Sequence, residues 1–286
     1  MATATLNGVE MYYETVGAGE RLVLTHGSWT DGTGWLPVVD GLAKRFEVVT
    51  WDRRGHSRSQ SGDDPGSRAE DASDLAALIE HLGDSPVHAV GNSYGSIITL
   101  TLAITRPDLV STVLVHEPPL WALLAASADQ AAALLIVRRQ AEESVATLIE
   151  AGDHRAAAQH FVDNVALGPG SWDRLPETLR AVMESNAPTF LDEHRDPTAL
   201  SIDVSALVAA SMPMMFTRGT ESPPLFSAVI DKLTRLVPTA QVRILAGAGH
   251  IPHATHPVEW VANTMDFHDA LPRLPLVNRT GKSASE

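Results

Sequence analysis

A serine between two glycines is the residue best placed to do chemistry in this chain: Gly91-Asn92-Ser93-Tyr94-Gly95. It follows a short apolar run, Val87-His88-Ala89-Val90, and precedes an apolar stretch, Ile97 to Ile104, that stops at Arg106-Pro107. Strand, G-x-S-x-G, helix is the layout of a nucleophile elbow. The turn is too tight for side chains two residues either side of the serine, hence glycine at both. It lifts the Ser93 hydroxyl clear of the sheet and sets it at a helix N-terminus, where free N–H groups favour a developing negative charge. A serine alcohol is a poor nucleophile near neutral pH. It needs an imidazole within hydrogen-bond reach, an acid to orient that imidazole, and donors aimed at the oxyanion.

His250, in Ala246-Gly247-Ala248-Gly249-His250 after the last strand-like run, is the candidate base, with His253 and His256 as neighbouring rivals. The glycines before it let a loop return across the sheet edge. For the oxyanion, Leu22-Val23-Leu24-Thr25 runs into His26-Gly27-Ser28-Trp29. The expected donors are the Ser28 N–H and the N–H of Tyr94, the residue after the nucleophile, with Gly27 as a substitute if the loop is turned by one residue. Two carboxylates compete for the acid. Glu117, in His116-Glu117-Pro118-Pro119, ends the strand-like run next after the elbow. Glu221, in Arg218-Gly219-Thr220-Glu221-Ser222, follows the next one.

Something must hold these groups together. Runs suited to strands recur at about Val9–Thr15, Arg21–Thr25, Glu47–Trp51, Val87–Val90, Thr112–Val115, Pro213–Thr217 and Gln241–Leu245. From the third onward most are apolar nearly throughout, which suits parallel strands covered on both faces. Helical patterns lie between them. Asp71 to Leu82 puts Leu75, Leu78, Ile79 and Leu82 on one face, and Phe226–Val237 and Pro257–Leu271 read the same way. The alternation implies a doubly wound α/β sheet. It breaks once, between Pro118 and Met212, where Trp121–Ala126, Gln130–Ala151 and Arg155–Leu167 read as helices and no strand is evident. The expected division is an α/β core over 1–117 and 213–272, a helical cap over 118–212 at the C-terminal sheet edge, and a polar, fraying tail over 273–286.

Composition narrows the partners. The chain has 286 residues, a net charge of −14 and no cysteine. An acidic surface disfavours nucleic acid and anionic membranes, and the missing thiols exclude disulfides and cysteine nucleophiles. No run of 18 apolar residues is present, and the first residues lack the basic and apolar regions of a signal peptide, so the cytoplasm is the default expectation. Asn278-Arg279-Thr280 matches a glycosylation sequon by what we read as chance. The chemistry needs no metal and no organic cofactor. Trp29, beside the oxyanion loop, and Trp121, at the cap hinge, are the candidate substrate-binding residues; Trp35, Met214 and Met215 read as core. Oligomeric state is not readable.

The chain resembles the α/β-hydrolase superfamily over about residues 5 to 271. The resemblance rests on His26-Gly27, on Trp51-Asp52-Arg53-Arg54-Gly55-His56-Ser57-Arg58-Ser59, on the elbow and on Gly249-His250, in the superfamily's order. It implies an eight-stranded, mostly parallel sheet with helices on both faces and an inserted helical cap, and hydrolysis of an ester, lactone or amide through an acyl-enzyme. It also implies that Asp52 and Arg53 are mainly structural. The chain departs from the common pattern at the acid: relatives carry Gly-x-x-Asp after the strand that follows the cap, and here Ser222 stands in the Asp position. Some members, haloalkane dehalogenases with a glutamate and zearalenone-lactone hydrolases among them, place the acid one strand earlier, which matches Glu117. The expected machinery is therefore Ser93, His250 and Glu117, acting on a small to mid-sized apolar ester or lactone. Two alternatives stay open. One is hydrolysis of C–C bonds in diketone-type substrates, whose enzymes share a Gly-Asn-Ser-x-Gly elbow but usually carry Trp where Ile251 stands. The other is a non-catalytic ligand-binding homologue.

Overall fold

The structure, a computed structural model, describes residues 1–83, 86–125 and 130–271. The tail expected over 273–286 and the sequon at Asn278 lie outside the described residues.

Eight strands form one sheet: β1 (Ala2–Leu6), β2 (Val9–Gly17), β3 (Glu20–Thr25), β4 (Phe46–Trp51), β5 (Val87–Asn92), β6 (Val110–His116), β7 (Met214–Gly219) and β8 (Gln241–Leu245), in the order β1-β2-β4-β3-β5-β6-β7-β8. β1 and β2 pair antiparallel with each other, and β2 antiparallel with β4; all other pairings are parallel. This is the mostly parallel eight-stranded sheet expected. β1 is the strand missing from the periodicity reading. It joins β2 through Asn7-Gly8, both at positive φ (46° and 83°), the backbone of a two-residue hairpin turn.

Apolar side chains cover both sheet faces. Helices Arg68–Leu82, Tyr94–Thr105 and Pro224–Leu236 bury Leu75, Leu78, Ile97, Val229 and Ile230 on one side. Helices Leu36–Leu42 and Pro257–Asp269 bury Val38, Leu42, Trp260 and Phe267 on the other. The first of these starts three residues before the expected Asp71, because Ser67 accepts from the Glu70 N–H and caps it.

Among the described residues between β6 and β7 all regular structure is helical, including Gln130–Glu150, His154–Phe161, Glu177–Asn186, Phe190–Arg195 and Val204–Ala209. This insertion has its own apolar cluster of Val145, Ala157, Phe161, Val162, Trp172 and Phe190, and one core residue, Trp29, is buried within it.

Parallel pairing puts the C-terminal ends of β3, β5, β6, β7 and β8 along one sheet edge. In register, Thr25 lies opposite Gly91, Asn92 opposite His116, His116 opposite Thr217, and Gly219 opposite Leu245. The loops carrying Ser28, Ser93, Glu117, Glu221 and His250 all leave from that edge, as ligand-binding loops do in open α/β sheets.

Candidate active site

Ser93 sits between β5 and helix Tyr94–Thr105 with φ 54° and ψ −125°, a backbone conformation a non-glycine residue rarely adopts. Its neighbours explain how it is held there. A Cβ on Gly91 would lie 2.4 Å from the Gly95 carbonyl oxygen, and one on Gly95 would lie 2.3 Å from that of Thr25, so only glycine lets the turn close against β3. The Ser93 N–H and the Ser96 hydroxyl both donate to the His116 carbonyl (2.9 and 3.0 Å), locking the turn to the end of β6.

The next residue, Glu117, is also strained, at φ 49°. This turns its carboxylate under the sheet edge, fully buried. Oε1 accepts from the Gly219 N–H at 2.8 Å, and Oε2 lies 2.7 Å from His250 Nδ1. Gly219 must be glycine for this approach, since a Cβ there would meet the Ala248 carbonyl oxygen at 2.1 Å. The Asn92 amide donates to the His250 carbonyl at 2.9 Å, and Phe226 stacks on the imidazole with ring centroids 4.0 Å apart. Burial pushes the Glu117 carboxyl up, but the imidazoles of His116 and His250 overcome this and hold it well below the usual carboxylate range. Burial lowers the His250 pKa, opposed by its hydrogen bond and charge attraction to Glu117, so the ring is neutral near pH 7 with its Nδ1 proton fixed toward the carboxylate.

The other candidates go elsewhere. Glu221 is exposed and accepts a hydrogen bond from the Thr220 hydroxyl. The Ser222 hydroxyl has no hydrogen-bond partner among the described residues. His253 packs against Trp35 at 4.3 Å between ring centroids, with its pKa lowered by burial to about 3. His256 pairs with the Thr255 hydroxyl. Ser93 and His250 both line a small cavity of about 50 Å³, together with Gly27, Ser28 and Asn92; no hydrogen bond joins the serine hydroxyl to the ring in this structure. Ser93 and Ser28 also line a larger cavity of about 440 Å³ beneath the insertion.

On the oxyanion side, the His26 ring fixes the turn after β3. Nδ1–H donates to the Gly27 carbonyl and Nε2 accepts from the Arg53 N–H. Burial, followed by the Arg53 charge, lowers this imidazole to about 4, so it is a neutral structural group. Gly27 abuts the nucleophile, where a Cβ would lie 3.0 Å from Ser93 Cβ. Neither the Ser28 N–H nor the Tyr94 N–H has an acceptor among the described residues. Asp52 is buried and accepts from Arg58 Nε and Nη2 (2.6 and 2.7 Å) and from the Gly32 N–H.

Trp29 requires a correction. It lines neither of these cavities. At φ 69° it is fully buried and stacks on Phe161 at 4.9 Å, within the insertion's apolar cluster. Trp121 does line the large cavity, with the Arg138 guanidinium 4.3 Å above its ring and Phe226 at 5.1 Å.

Sequence reasoning missed a buried ionic chain beside the oxyanion loop. Arg53 forms a bidentate pair with Asp71 (3.2 and 2.7 Å) and reaches Glu193 of the insertion at 2.8 Å. The other Glu193 oxygen accepts from the Ser28 hydroxyl, and the Arg53 guanidinium lies 4.7 Å from the Tyr94 ring centroid. Nothing in Phe190-Leu191-Asp192-Glu193-His194-Arg195 separates Glu193 from a solvated helix face.

His116, Glu117 and His250 also bring nitrogen and oxygen donors within 4.8 Å of one another, a grouping with the composition to hold a metal ion. A metal there would compete with the His250–Glu117 hydrogen bond for the same lone pairs, so the grouping fits an orienting pair better than a metal centre.

Residues 22–264 match the sequence profile described as the alpha/beta hydrolase family. Among curated proteins, the chain is 37% identical over 124 residues to the uncharacterized hydrolase YraK of Bacillus subtilis (43% of this chain, 46% of that protein). It is 33% identical over 117 residues to a soluble epoxide hydrolase of Corynebacterium sp. (40% of each). The chain thus spans less than half the length of the curated relatives it matches. Among solved structures, an enol-lactonase from Burkholderia xenovorans superposes with a TM-score of 0.75 at 19% identity, covering 94% of this chain and all of that one, a likeness of fold. With the profile spanning most of its length and the eight-stranded sheet in place, the chain belongs to the alpha/beta hydrolase family.

Proposed function

We propose that the chain is a serine hydrolase that cleaves a carboxylic ester or lactone of small to mid-sized apolar character through an acyl-enzyme. In this reading His250 takes the Ser93 proton as Oγ attacks the substrate carbonyl, and Glu117 holds the imidazole in the Nδ1–H tautomer and stabilises the imidazolium that forms. The Ser28 and Tyr94 N–H groups receive the oxyanion. His250 then protonates the leaving alkoxide, and a water repeats the cycle on the acyl-enzyme. The insertion is the cap that roofs the acyl site, with Trp121 against the substrate.

The observation that carries this reading is the 2.7 Å contact between Glu117 and His250 at the edge where the strained Ser93 emerges. Two adjacent strand ends, each with a non-glycine residue at positive φ, are where stored strain points to function. The large cavity, about 440 Å³ and lined in part by Trp121, Leu135, Phe161 and Phe190, suits a mid-sized apolar acyl or lactone group. Epoxide opening of the kind named for the Corynebacterium relative is disfavoured, because an alkyl-enzyme ester needs a carboxylate where this chain has Ser93.

The test is a panel of p-nitrophenyl esters of increasing acyl length and of lactones of increasing ring size, scored by kcat/KM for the wild type and for Ser93→Ala. The expectation is turnover favouring medium apolar acyl groups and a loss of about 10⁴-fold or more on removing the hydroxyl. Turnover unchanged in Ser93→Ala would overturn the proposal, and no turnover with any ester or lactone would favour a binding protein.

A further inference from the structure

The oxyanion loop, residues 27–31, is gripped by the insertion at three points. Glu193 accepts from the Ser28 hydroxyl. Trp29 stacks on Phe161 and lies tilted against Phe190, 4.9 and 5.4 Å away. The Asn186 amide donates to the Trp29 and Thr30 carbonyls (3.3 and 3.1 Å), while its oxygen takes the Ser57 N–H at 2.8 Å. Trp29 in the loop and Ser57, which shares the Asn186 side chain, are both held at positive φ, a conformation that surrounding contacts sustain.

Glu193 reaches furthest into the chemistry. Its two oxygens divide between the side chain of one proposed oxyanion donor residue, Ser28, and Arg53, whose guanidinium lies over the ring of the other, Tyr94. It is buried, and burial pushes its carboxyl up against the pull of Arg53. Replacing a whole buried ion pair by well-packed apolar residues is often neutral or stabilising, so stability alone gives weak reason for this arrangement. A carboxylate that borders the large cavity and holds the residue beside the nucleophile has a more specific use.

We propose that Glu193 is a positioning residue for the oxyanion hole: it ties the Ser28 backbone N–H into line with that of Tyr94, so the cap completes the hole as well as covering it. This rests on the serine-hydrolase reading above. An oxyanion donor acts only if it lies within about 0.2 Å of its hydrogen-bonding distance to the developing charge, and losing one donor costs roughly 10²–10³ in kcat. Letting the loop relax forfeits part of that. Because the hole binds charge that develops in the transition state, the loss falls on kcat more than on KM.

The experiment compares Glu193→Ala, Glu193→Gln, Ser28→Ala and the Ser28→Ala/Glu193→Ala double variant, using a p-nitrophenyl ester for kcat and KM and phenylboronic acid as the tetrahedral-adduct probe. Glu193→Ala is expected to lower kcat roughly 10- to 100-fold with KM within about threefold, and to weaken boronate inhibition in parallel. Ser28→Ala, which keeps the backbone N–H and loses only the hydroxyl, should reproduce much of that loss, and the double variant should fall no further than the worse single variant. Glu193→Gln still accepts from Ser28 and should recover most of the activity. If Glu193→Ala does not fold, Ser28→Ala and Glu193→Gln carry the same comparison. Wild-type kcat and boronate affinity in folded Glu193→Ala and in Ser28→Ala, or losses that simply multiply in the double variant, would overturn the proposal. Ser93→Ala, run alongside, separates the two levels: if it keeps activity, the hydrolase reading fails, whereas an inactive Ser93→Ala beside an unaffected Glu193→Ala sinks the positioning role alone.

Discussion

The two halves of the candidate site are built in different ways. The proposed nucleophile and acid stand at the ends of two parallel strands, β5 and β6, and the proposed base in the loop after a third, β8, and their contacts stay within the core: Ser93 to the β6 carbonyl, Glu117 to His250 and to Gly219. The oxyanion half rests on a loop whose shape is imposed by Glu193, Asn186 and two phenylalanines of the insertion. The first half is held by the sheet and the helices packed on it. The second shares its turn with the core, through His26 and Arg53, and takes further contacts from the insertion. In the proposed mechanism, changes in the insertion would reach the loop of Ser28 without touching the Glu117–His250 pair.

Substitutions should expose that division, and the largest effect belongs to the core half. Glu117→Gln removes the carboxylate that fixes the imidazole tautomer and should lower kcat by about 10³–10⁴-fold, while Glu221→Gln stays within about twofold of wild type; steady-state kinetics on the purified variants measures both, and the opposite ranking would move the acid to the β7 loop. Next comes Asn186→Ala, which frees the Trp29 and Thr30 carbonyls. A fall in kcat of about tenfold, smaller than for Glu117→Gln, is expected, with a modest loss of melting temperature from the buried carbonyls left unpaired.

The pH profile sharpens the comparison further. The His250 pKa is lowered from an ordinary value of 6.5, and catalysis needs the neutral ring, so kcat/KM should plateau above that pH and fall only below it. Glu117→Gln removes an influence that raises the ring pKa and should move this acid limb to still lower pH, whereas Asn186→Ala should lower the plateau and leave the limb in place. A limb that moves equally in both would erase the proposed division.

The smallest effects concern stability. His88 and His268 are buried against each other and Thr112, with ring centroids 4.5 Å apart, and burial holds each at about 4. Their folded-state pKa lies below the unfolded value, so the folded state binds fewer protons. Their stabilising effect is complete above about pH 6.5 and is lost as pH falls toward 4. Each can cost up to about 2 kcal/mol between pH 6.5 and 5. The melting temperature should drop across that range, by up to about 8 °C, and a flat profile in a calorimetric scan would show these rings to be protonated in the folded protein.

Legibility in the sequence follows the same division. The core half could be read because its requirements are local. Glycines at 91 and 95 are forced by close backbone approach, and His250 follows a glycine-rich loop. Seven strands showed as apolar runs. β1 did not, since it alternates exposed and buried residues over only five positions, and the overlooked signal was Asn7-Gly8. In the insertion, Gln130–Glu150 and His154–Phe161, which runs on through Val162–Ala166, show as long helical patterns, while Phe190–Arg195 and Val204–Ala209 are too short to carry a period. Glu193 and Trp29 were unreadable for a different reason. Ser28 and Glu193 are 165 residues apart, and a carboxylate in a mixed-charge helix or a tryptophan after a turn acquires its role only from what folds against it.

The claim on which the rest depends is that one hydroxyl is made nucleophilic by one imidazole. Its most direct test is to incubate the protein with a fluorophosphonate and map the adduct by peptide mass spectrometry, in wild type and in His250→Ala. The account predicts a single phosphonylated residue, Ser93, labelled rapidly in the wild type and at least about 10³-fold more slowly without the imidazole. Labelling at another residue, or at Ser93 with equal speed in both proteins, would contradict it.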